Sequence, residues 1–472
     1  MTVTSKDKIA IVNAQIVTVD KDSSVIENGS LVVGADGTIR AIAPGNITHN
    51  ATEVIDARGA IVMPGLINSH THLGMTLFRG LGDDMSLEDF LARLQPAEVK
   101  VLNYAAVHAG TELAALESLL GGITTSLDMY FLPDAALEVA NSSLMRIQTG
   151  PNFLESDGPE PLKFADRLSW AKKWLTAPRD SAGSTGWVAP HSTYLLDEKQ
   201  LCTLAELASE FEARIHVHAA ETVGEMQLVA KRHGGRTPIQ VLADTKLLRR
   251  SVLAHGVHLS DDDIALIASN SATVVHCPAS NFKLASGVAR ILDLQRAGVN
   301  IALGTDGPAS NFKLASGVAR ILDLQRAGVN IALGTDGPAS GNDLDLWIAI
   351  RLAGYMQKTV AKDPSVLPAV DLVRMATING AKALQLDHII GSLEVGKRAD
   401  LIVLDADSPS LTPSFEPHTT IATCVTRADV RHVLVDGQIV VRNRECLTID
   451  RKSAISKVRA LGKQVLASVN KN

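Results

Sequence analysis

Short apolar runs alternate with longer amphipathic segments over the middle of the 472-residue chain. The runs, typical of buried strands, are Ile123–Leu127, Gly186–Ala189, Arg214–His218, Ser251–His255, Thr273–His276 and Asn330–Leu333. Between them, apolar residues at i, i+3, i+4 and i+7 predict helices at Leu87–Leu94, Val101–Leu119, Asp197–Phe211 and Asp261–Ala268. Strand–helix alternation over roughly 300 residues predicts a parallel α/β fold, and a (β/α)8 TIM-like barrel is the closed architecture that fits this length.

Both ends of the chain have a different pattern, with short β-branched runs separated by glycine, asparagine and aspartate turns. The predicted strands are Ile9–Val17, Ser30–Val33, Ile39–Ile42, Glu53–Asp56, Asp400–Leu404, Ile421–Val425, Val430–Val435 and Ile439–Arg442. We therefore expect residues 1–63 and 388–450 to form one small β-sandwich, with the barrel of residues 64–387 inserted between its halves. An amphipathic helix over Arg451–Val469 is predicted within the terminal segment 451–472.

One stretch of the barrel sequence occurs twice without a single difference. Residues 281–310 are identical to residues 311–340. Solenoid repeats diverge at their surface positions and occur at least three times, so this pair is not typical of a repeat fold. We expect one copy to be surplus to the barrel and to loop out at its C-terminal face or to pack poorly.

Composition excludes several classes of partner. The net charge of −6 and the pI near 6.2 provide no basic surface for nucleic acid. Four scattered cysteines without a Cys-x-x-Cys pair fit a reducing compartment. The first residues lack the apolar core of a signal peptide, and no uncharged apolar window is long enough to span a bilayer, so a cytoplasmic protein is expected.

The chemistry of the chain centres on a histidine pair at the end of an apolar run. Residues 62–72 read Val-Met-Pro-Gly-Leu-Ile-Asn-Ser-His-Thr-His. Successive side chains of a strand point to opposite faces, so His70 and His72 share a face and can bind one metal ion, whereas Thr71 points away.

Three further apolar runs end in residues that can act beside a metal. The run from Arg214 ends in His218, with Glu221 three residues later, although His216 has the same strand parity and spacing alone does not choose between them. The next run ends in His255. Polar residues at the C-terminal ends of strands line the active sites of such barrels, which predicts one shared site.

A late run ends in an aspartate that the repeat presents twice, as Asp306 and Asp336 in identical Gly-Thr-Asp-Gly-Pro contexts. We favour Asp336 as the metal ligand because only this copy is followed by the polar sequence of residues 340–347, which leads into the next predicted helix.

As an ordered set, these motifs resemble the amidohydrolase superfamily over about residues 8–445. The closest similarity is to its 5-methylthioadenosine/S-adenosylhomocysteine deaminase and triazine chlorohydrolase branch. The motifs are Pro64–His72, Arg79–Asp84, His218–Glu221, Ala254–His258, His276–Asn281, Gly334–Asp336 and Gly391–Asp400.

The resemblance implies that His70, His72, His218 and the late aspartate bind one divalent metal, which selects His218 over His216. Three imidazoles and a carboxylate suit zinc, our first expectation, and also iron or nickel. A metal in such a site lowers the pKa of bound water to about 7.

The resemblance also assigns the catalytic roles. Glu221 would shuttle the proton, and His255 would hold the attacking hydroxide. Members with two metals need a bridging lysine at the end of a middle strand, whereas this chain has His191 there, so one metal is expected. In the resembled branch His191 would face the heterocycle of the substrate and Glu98 would accept the ribose hydroxyls.

The sequence thus predicts a metal-dependent hydrolytic deaminase that releases ammonia from an amino-purine nucleoside or a related small amino-heterocycle. Alternatives are a triazine-type chlorohydrolase or a guanine deaminase on the same site. The branch that binds S-adenosylhomocysteine usually offers an arginine near residues 149–151, where this chain has Gly150, and Lys163 is a weaker substitute. Self-association into a homo-oligomer is a further expectation, since large barrels of this kind often associate.

Overall fold

The computed structural model describes residues 7–82, 87–154, 159–160, 163–176, 183–184, 186–249, 251–270, 272–276, 300–303 and 332–469. Within them the strands are β1 (Asp7–Val17), β2 (Val25–Gly34), β3 (Ile39–Pro44), β4 (Glu53–Asp56), β5 (Ile61–Pro64), β6 (Leu66–Thr71), β7 (Ile123–Asp128), β8 (Arg146–Gln148), β9 (Asn152–Phe153), β10 (Gly183–Ser184), β11 (Trp187–Pro190), β12 (Arg214–Ala219), β13 (Val252–His255), β14 (Thr273–His276), β15 (Asn300–Leu303), β16 (Leu401–Leu404), β17 (Val430–Val435), β18 (Gln438–Arg442) and β19 (Glu445–Cys446).

The α-helices in the same residues are α1 (Leu87–Val101), α2 (Tyr104–Leu120), α3 (Pro133–Ser143), α4 (Phe164–Thr176), α5 (Glu198–Glu210), α6 (Val223–Arg232), α7 (Pro238–Asp244), α8 (Asp261–Ser269), α9 (Leu346–Ala361), α10 (Ala369–Met375), α11 (Ile378–Ala383), α12 (Pro417–Thr423) and α13 (Arg451–Val469). Capping side chains begin several of them. The side chain of Asp197 accepts a hydrogen bond from the backbone N–H of Gln200 and so begins α5. In the described part of the chain, no helix is both long and apolar enough to cross a membrane.

The two ends of the chain share one sheet, as the sequence pattern predicts. It contains nine strands in the order β19-β18-β17-β16-β5-β1-β2-β3, and β4 pairs with β1 beside this path. The join is antiparallel, with Leu401 of β16 opposite Pro64 of β5. Asp436 and Gly437 form the turn between β17 and β18 with φ of 54° and 69°, the left-handed values that a tight hairpin turn requires.

The middle of the chain contains parallel strands separated by helices, which confirms the predicted α/β class. One sheet has the order β10-β8-β7-β6, and the other has the order β15-β14-β13-β12-β11-β9. Residues 332–336 lie alongside β6, where the N–H of Ser69 donates to the carbonyl of Leu333 at 3.0 Å and the N–H of Asp336 donates to that of His70 at 3.1 Å. These contacts bring residues 332–336 to the C-terminal end of β6, although the two stretches lie far apart in the sequence.

Two strand predictions need correction. Ile421–Val425 is not a strand, because Pro417 occupies the first turn of α12 and Ile421 and Val425 are buried at helical spacing. Asn330 and Ile331 lie outside the described residues, and Ala332 and Leu333 are not part of a strand. The identical residues Asn300–Leu303 of the first copy form β15 instead. Most of the repeat lies outside the described residues, so the expectation that one copy loops out or packs poorly stays a prediction.

Candidate metal centre and active site

Three histidines converge at the ends of two parallel strands. His70 and His72 lie at the end of β6, and His218 lies near the end of β12. One ring nitrogen of each lies within 4.8 Å of the others, the separation expected for ligands of a single ion. His70 lies in the fully buried β6, and His72 follows Thr71, the last residue of that strand. The ring nitrogens of both histidines point to the same cluster.

Asp336 completes this cluster. Its Oδ1 lies 3.4 Å from Nε2 of His70 and 3.1 Å from Nε2 of His72. The hydroxyl of Thr71 donates to the Asp336 carbonyl at 2.9 Å, and the hydroxyl of Ser340 donates to its Oδ2. The structure therefore brings Asp336 to the histidines, as predicted, whereas Asp306 lies outside the described residues.

Backbone carbonyls orient two of the three imidazoles. Nδ1 of His72 donates to the carbonyl of Met129, and Nδ1 of His218 donates to that of His191 at 3.1 Å. A proton on Nδ1 leaves the lone pair on Nε2 free. This arrangement of a ligand and its outer hydrogen-bond partner is common among metal-binding histidines.

His70 provides the test of whether a metal fits. Its side chain is 0% exposed, and neither ring nitrogen has a hydrogen-bond partner among the described residues, since the contact of Nε2 with Asp336 Oδ1 at 3.4 Å lacks hydrogen-bond geometry. A buried polar atom without a partner costs free energy, so such atoms call for an explanation. Three imidazole nitrogens and one carboxylate form a donor set typical of zinc and similar divalent ions, so these residues fit a metal.

The electrostatics of the cluster keep two imidazoles neutral. Burial lowers the pKa of His70 to about 4 and brings that of His218 well below its ordinary value. Burial alone would lower the pKa of His72, but Asp336 raises it to about 9. Burial opposes ionisation of Asp336, yet His72 and His70 hold its pKa well below the usual range. A metal would replace the proton on His72, because metal ligands must be deprotonated.

The geometry separates His216 from His218. The ring of His216 is 1% exposed and packs between His70, 5.2 Å away between ring centroids, and Trp187, 6.1 Å away. The nitrogens that converge belong to His70, His72 and His218. His216 thus lies behind the cluster as a packing residue.

Glu221 and His255 lie next to each other beside the histidine cluster. Oε2 of Glu221 is 3.6 Å from Nε2 of His255, and the ring of His255 stacks 5.5 Å from that of His218. The Glu221 side chain is 19% exposed, and that of His255 is 6% exposed. A partly open carboxylate beside an imidazole can exchange protons with a small molecule bound there.

The two predicted substrate-binding residues also lie near the cluster. The hydroxyl of Tyr130 donates to Oε1 of the buried Glu98 at 2.6 Å, and the Tyr130 ring lies 6.4 Å from that of His72. Burial raises the pKa of Glu98 to about 7. The His191 ring lies 4.8 Å from that of His218, and burial lowers the His191 pKa to about 4.

Three residues near the site were missed by sequence reasoning. Asp128 ends β7 and accepts a hydrogen bond from the N–H of Leu73 at 2.7 Å, a position that its place at a strand end could have indicated. Tyr130 and Glu225 contact Glu98 and the Glu221 backbone respectively. No local pattern distinguishes those two from ordinary core residues.

Gly150 leaves no room for a side chain. A Cβ at this position would lie 2.1 Å from the carbonyl oxygen of Trp187, well inside any real contact distance. An arginine therefore cannot replace Gly150 on this backbone, and Lys163, the substitute considered from the sequence, is exposed.

Comparisons with known proteins agree with this geometry. The model of the Amidohydrolase family matches residues 61–314 and 307–440, two ranges that overlap within the repeat. A 5'-deoxyadenosine deaminase of Methanosarcina acetivorans is 35% identical over 466 residues, covering 98% of this chain and 99% of the relative. A 5-methylthioadenosine/S-adenosylhomocysteine deaminase of Symbiobacterium thermophilum is 36% identical over 459 residues, covering 96% and 98%.

Solved structures extend the similarity to the fold. An adenosine deaminase from Xanthomonas campestris with bound zinc is 29% identical, with a TM-score of 0.84 over 98% of this chain and 99% of that chain. A triazine hydrolase from Arthrobacter aurescens, 21% identical, has a TM-score of 0.81 over 97% and 100%, and at this identity it supports the fold alone. The family match and the full-length relatives place the chain in the amidohydrolase family, as a hydrolase of carbon–nitrogen bonds other than peptide bonds.

Proposed function

We propose that the chain hydrolytically deaminates an adenine-type nucleoside, replacing the exocyclic amino group with oxygen and releasing ammonia. The observation that carries this proposal is the cluster of His70, His72, His218 and Asp336 beside the Glu221–His255 pair. Relatives named as deaminases of 5'-deoxyadenosine and 5-methylthioadenosine, 35% and 36% identical, support the choice of nucleoside.

The four residues of the cluster would hold one divalent metal, with zinc the first candidate. Such an ion, when bound, acidifies a water molecule and supplies hydroxide near neutral pH. The chain contributes the orientation of the ligands, through the carbonyls of Met129 and His191. It also contributes a buried site in which the imidazoles of His70 and His218 stay neutral.

Glu221 moves the protons of the reaction. Its carboxylate takes one proton from the attacking water and delivers it to the ring nitrogen next to the attacked carbon. It then takes the second proton from the hydroxyl of the tetrahedral intermediate and passes it to the amine, which departs as ammonia. His255 donates toward the oxygen of the tetrahedral intermediate and stabilises the negative charge that develops there.

Glu98 and His191 bind the substrate in this proposal. Tyr130 holds one oxygen of the Glu98 carboxylate, which leaves the other to accept hydrogen bonds from ribose hydroxyls. His191 lies against His218 and would face the purine ring.

Gly150 favours a substrate without an amino-acid tail. A carboxylate on the substrate is best bound by the two parallel donors of an arginine. The contact with Trp187 excludes that side chain at position 150. We therefore expect 5'-deoxyadenosine or 5'-methylthioadenosine to be preferred over S-adenosylhomocysteine.

In this proposal the two parallel sheets and residues 332–336 form a closed (β/α)8 barrel. The contacts of Ser69 with Leu333 and of Asp336 with His70 support closure next to β6. The nine-stranded sheet would then be the separate small domain, with the boundaries expected from the sequence.

Ammonia release provides the direct test. The purified, zinc-loaded protein is assayed with 5'-deoxyadenosine, 5'-methylthioadenosine, adenosine, S-adenosylhomocysteine, guanine and a chlorinated triazine. We expect ammonia from the first two at the highest kcat/KM. Chloride from the triazine without ammonia from any nucleoside would overturn the proposal in favour of a chlorohydrolase, and ammonia from guanine alone would assign a different deaminase.

A further inference from the structure

The backbone between the metal cluster and the proton shuttle makes a sharp bend. Strand β12 ends at Ala219, and Ala220 then has φ of 56° before Glu221 begins the loop that leads to α6. An alanine pays a steric penalty in this left-handed region, so the surrounding structure has to hold it there.

Glu225 holds the bend from one side. Its Oε1 accepts a hydrogen bond from the N–H of Ala220 at 3.1 Å, and its Oε2 accepts one from the N–H of Glu221 at 2.6 Å. Glu225 itself lies in the first turn of α6, where its own N–H donates to the hydroxyl of the capping Thr222 at 3.0 Å. Both carboxylate oxygens of Glu225, a residue that is 5% exposed, therefore accept hydrogen bonds from two consecutive peptide groups.

The loop after His255 holds the same peptide unit from the other side. The carbonyl of Ala220 accepts hydrogen bonds from the N–H groups of Val257 at 2.8 Å and His258 at 2.9 Å. The N–H of Gly256 donates to the carbonyl of Ala219 at 3.1 Å. These bonds fix the segment that carries Glu221 against the segment that carries His255.

Stabilising a turn with a buried carboxylate costs free energy, because burial disfavours the charged form. Burial raises the pKa of Glu225 to about 7, and the charge of the neighbouring Glu221 acts in the same direction. A neutral amide has only one acceptor oxygen, and its NH2 group would face an N–H donor. Only the ionised carboxylate can accept both hydrogen bonds without presenting a donor.

We propose that Glu225 is a positioning residue of the reaction, which aims the Glu221 carboxylate by accepting hydrogen bonds from the Ala220 and Glu221 backbone. This inference rests on the proposed role of Glu221 as the proton shuttle. Glu225 makes no contact with substrate in this proposal, and its effect on the reaction passes through the bend.

The test is a double-mutant cycle between Glu225→Gln and Glu221→Gln in the zinc-loaded, full-length enzyme. We expect Glu225→Gln alone to lower kcat about 10–100-fold, by analogy with residues that orient the ligands of a metal. KM and the bound zinc per chain should stay within about twofold, because no ligand or substrate contact is removed. In the Glu221→Gln background the same substitution should have almost no further effect on the residual rate.

Two further variants keep the result interpretable. Glu225→Asp retains the charge but is too short to reach both N–H groups, so it should also lower kcat and serves if the glutamine variant folds poorly. Glu206→Gln removes an exposed glutamate from α5 and should leave kcat unchanged. Hydrogen exchange should report faster exchange at the amide of Glu221 in both Glu225 variants.

Three outcomes would overturn the positioning role: full kcat in both Glu225 variants, equal losses of kcat in both backgrounds, or a loss of zinc that accounts for the loss of rate. If Glu221→Gln itself keeps normal kcat, the proposed function of Glu221 is wrong, and the role of Glu225 falls with it. If Glu221→Gln is inactive and Glu225→Gln is normal, only the present inference is wrong.

Discussion

Two buried polar clusters in this protein are built on opposite principles. Arg146 of β8 donates from Nε to Asp400 at 2.6 Å and from Nη2 to Asp436 at 2.9 Å, which joins the parallel strands to the nine-stranded sheet. Asp400 also accepts from the N–H of Asp436 at 2.7 Å. At the proposed metal centre, by contrast, both ring nitrogens of the fully buried His70 lack a hydrogen-bond partner among the described residues.

The difference indicates what each cluster is for. The buried charges of Arg146, Asp400 and Asp436 form ion pairs with one another and need no ligand. They connect the parallel strands to the nine-stranded sheet. The buried ring nitrogens of His70, which lack a hydrogen-bond partner in the described chain, gain one only when something else binds. The first cluster should therefore matter for stability and the second for metal content and activity.

The largest effect should come from the unsatisfied cluster. His70→Ala removes one ligand, and we expect the rate of ammonia release to fall to that of a blank without enzyme, with bound zinc falling well below one per chain. The midpoint of thermal unfolding of the metal-free protein should change little. His388→Ala, at an exposed position, is the matched control. Normal turnover in His70→Ala would contradict the assignment of the metal centre.

The satisfied cluster should respond in the opposite way. Arg146→Ala leaves the buried Asp400 without its cation, whereas Asp436 keeps its ion pair with Arg398. The free energy of unfolding should therefore fall by about 3–5 kcal/mol. The protein that remains folded should keep its KM and zinc content. Arg58→Ala removes an exposed ion pair with Asp407 and should cost less than about 1 kcal/mol in the same denaturant titration. Equal losses from both variants would show that the buried cluster has no special role.

The repeat allows the ligand assignment to be tested with two chemically identical changes. Asp336→Asn removes the carboxylate beside His72 and should lower kcat/KM on the order of 100-fold, about 2.7 kcal/mol. Asp306→Asn, the same change in the same sequence context, should leave kcat/KM within twofold. The reverse result would assign the ligand to the first copy.

The smallest effect concerns Glu98 and appears as a pH dependence. Its pKa is raised to about 7 by burial, so the folded state holds the proton more tightly than the unfolded chain does. The stability that this proton provides is present below about pH 4.5 and is lost as the pH rises through 7. Glu98→Gln cannot titrate, so wild type should lose roughly 2–3 kcal/mol relative to it over that range. If wild type and Glu98→Gln differ in free energy of unfolding by the same amount at pH 5 and at pH 8, this prediction is wrong.

Sequence alone predicts much of the fold because the spacing of apolar residues differs between the strands and the helices along the chain. Val430–Val435 and Arg451–Val469 have the same bounds in the sequence prediction and in the structure. The prediction was wrong at Ile421–Val425, where Ile421 and Val425 are apolar at both strand and helix spacing and Pro417 decides for a helix. Short apolar runs carry too little information to decide between the two.

The sequence predicts those site residues that alternate along one strand or lie at the end of a strand. The family membership and the hydrolase class expected from the motifs are confirmed by the comparisons. Strand parity could not separate His216 from His218, because the two residues have the same parity. Tertiary packing separates them, since the His218 nitrogen converges with those of His70 and His72 whereas His216 packs against Trp187. The repeat itself could not decide whether Asp306 or Asp336 is the ligand, because the two aspartates lie in identical sequence contexts. Glu225 was missed because its role depends on the bend at Ala220.

The pairing of β5 with β16 has a consequence for synthesis of the chain. Pro64 has left the ribosome long before Leu401 is made, so one edge of the N-terminal strands stays open during most of translation. An open strand edge can pair with another nascent chain, so the chain is exposed to aggregation during this interval.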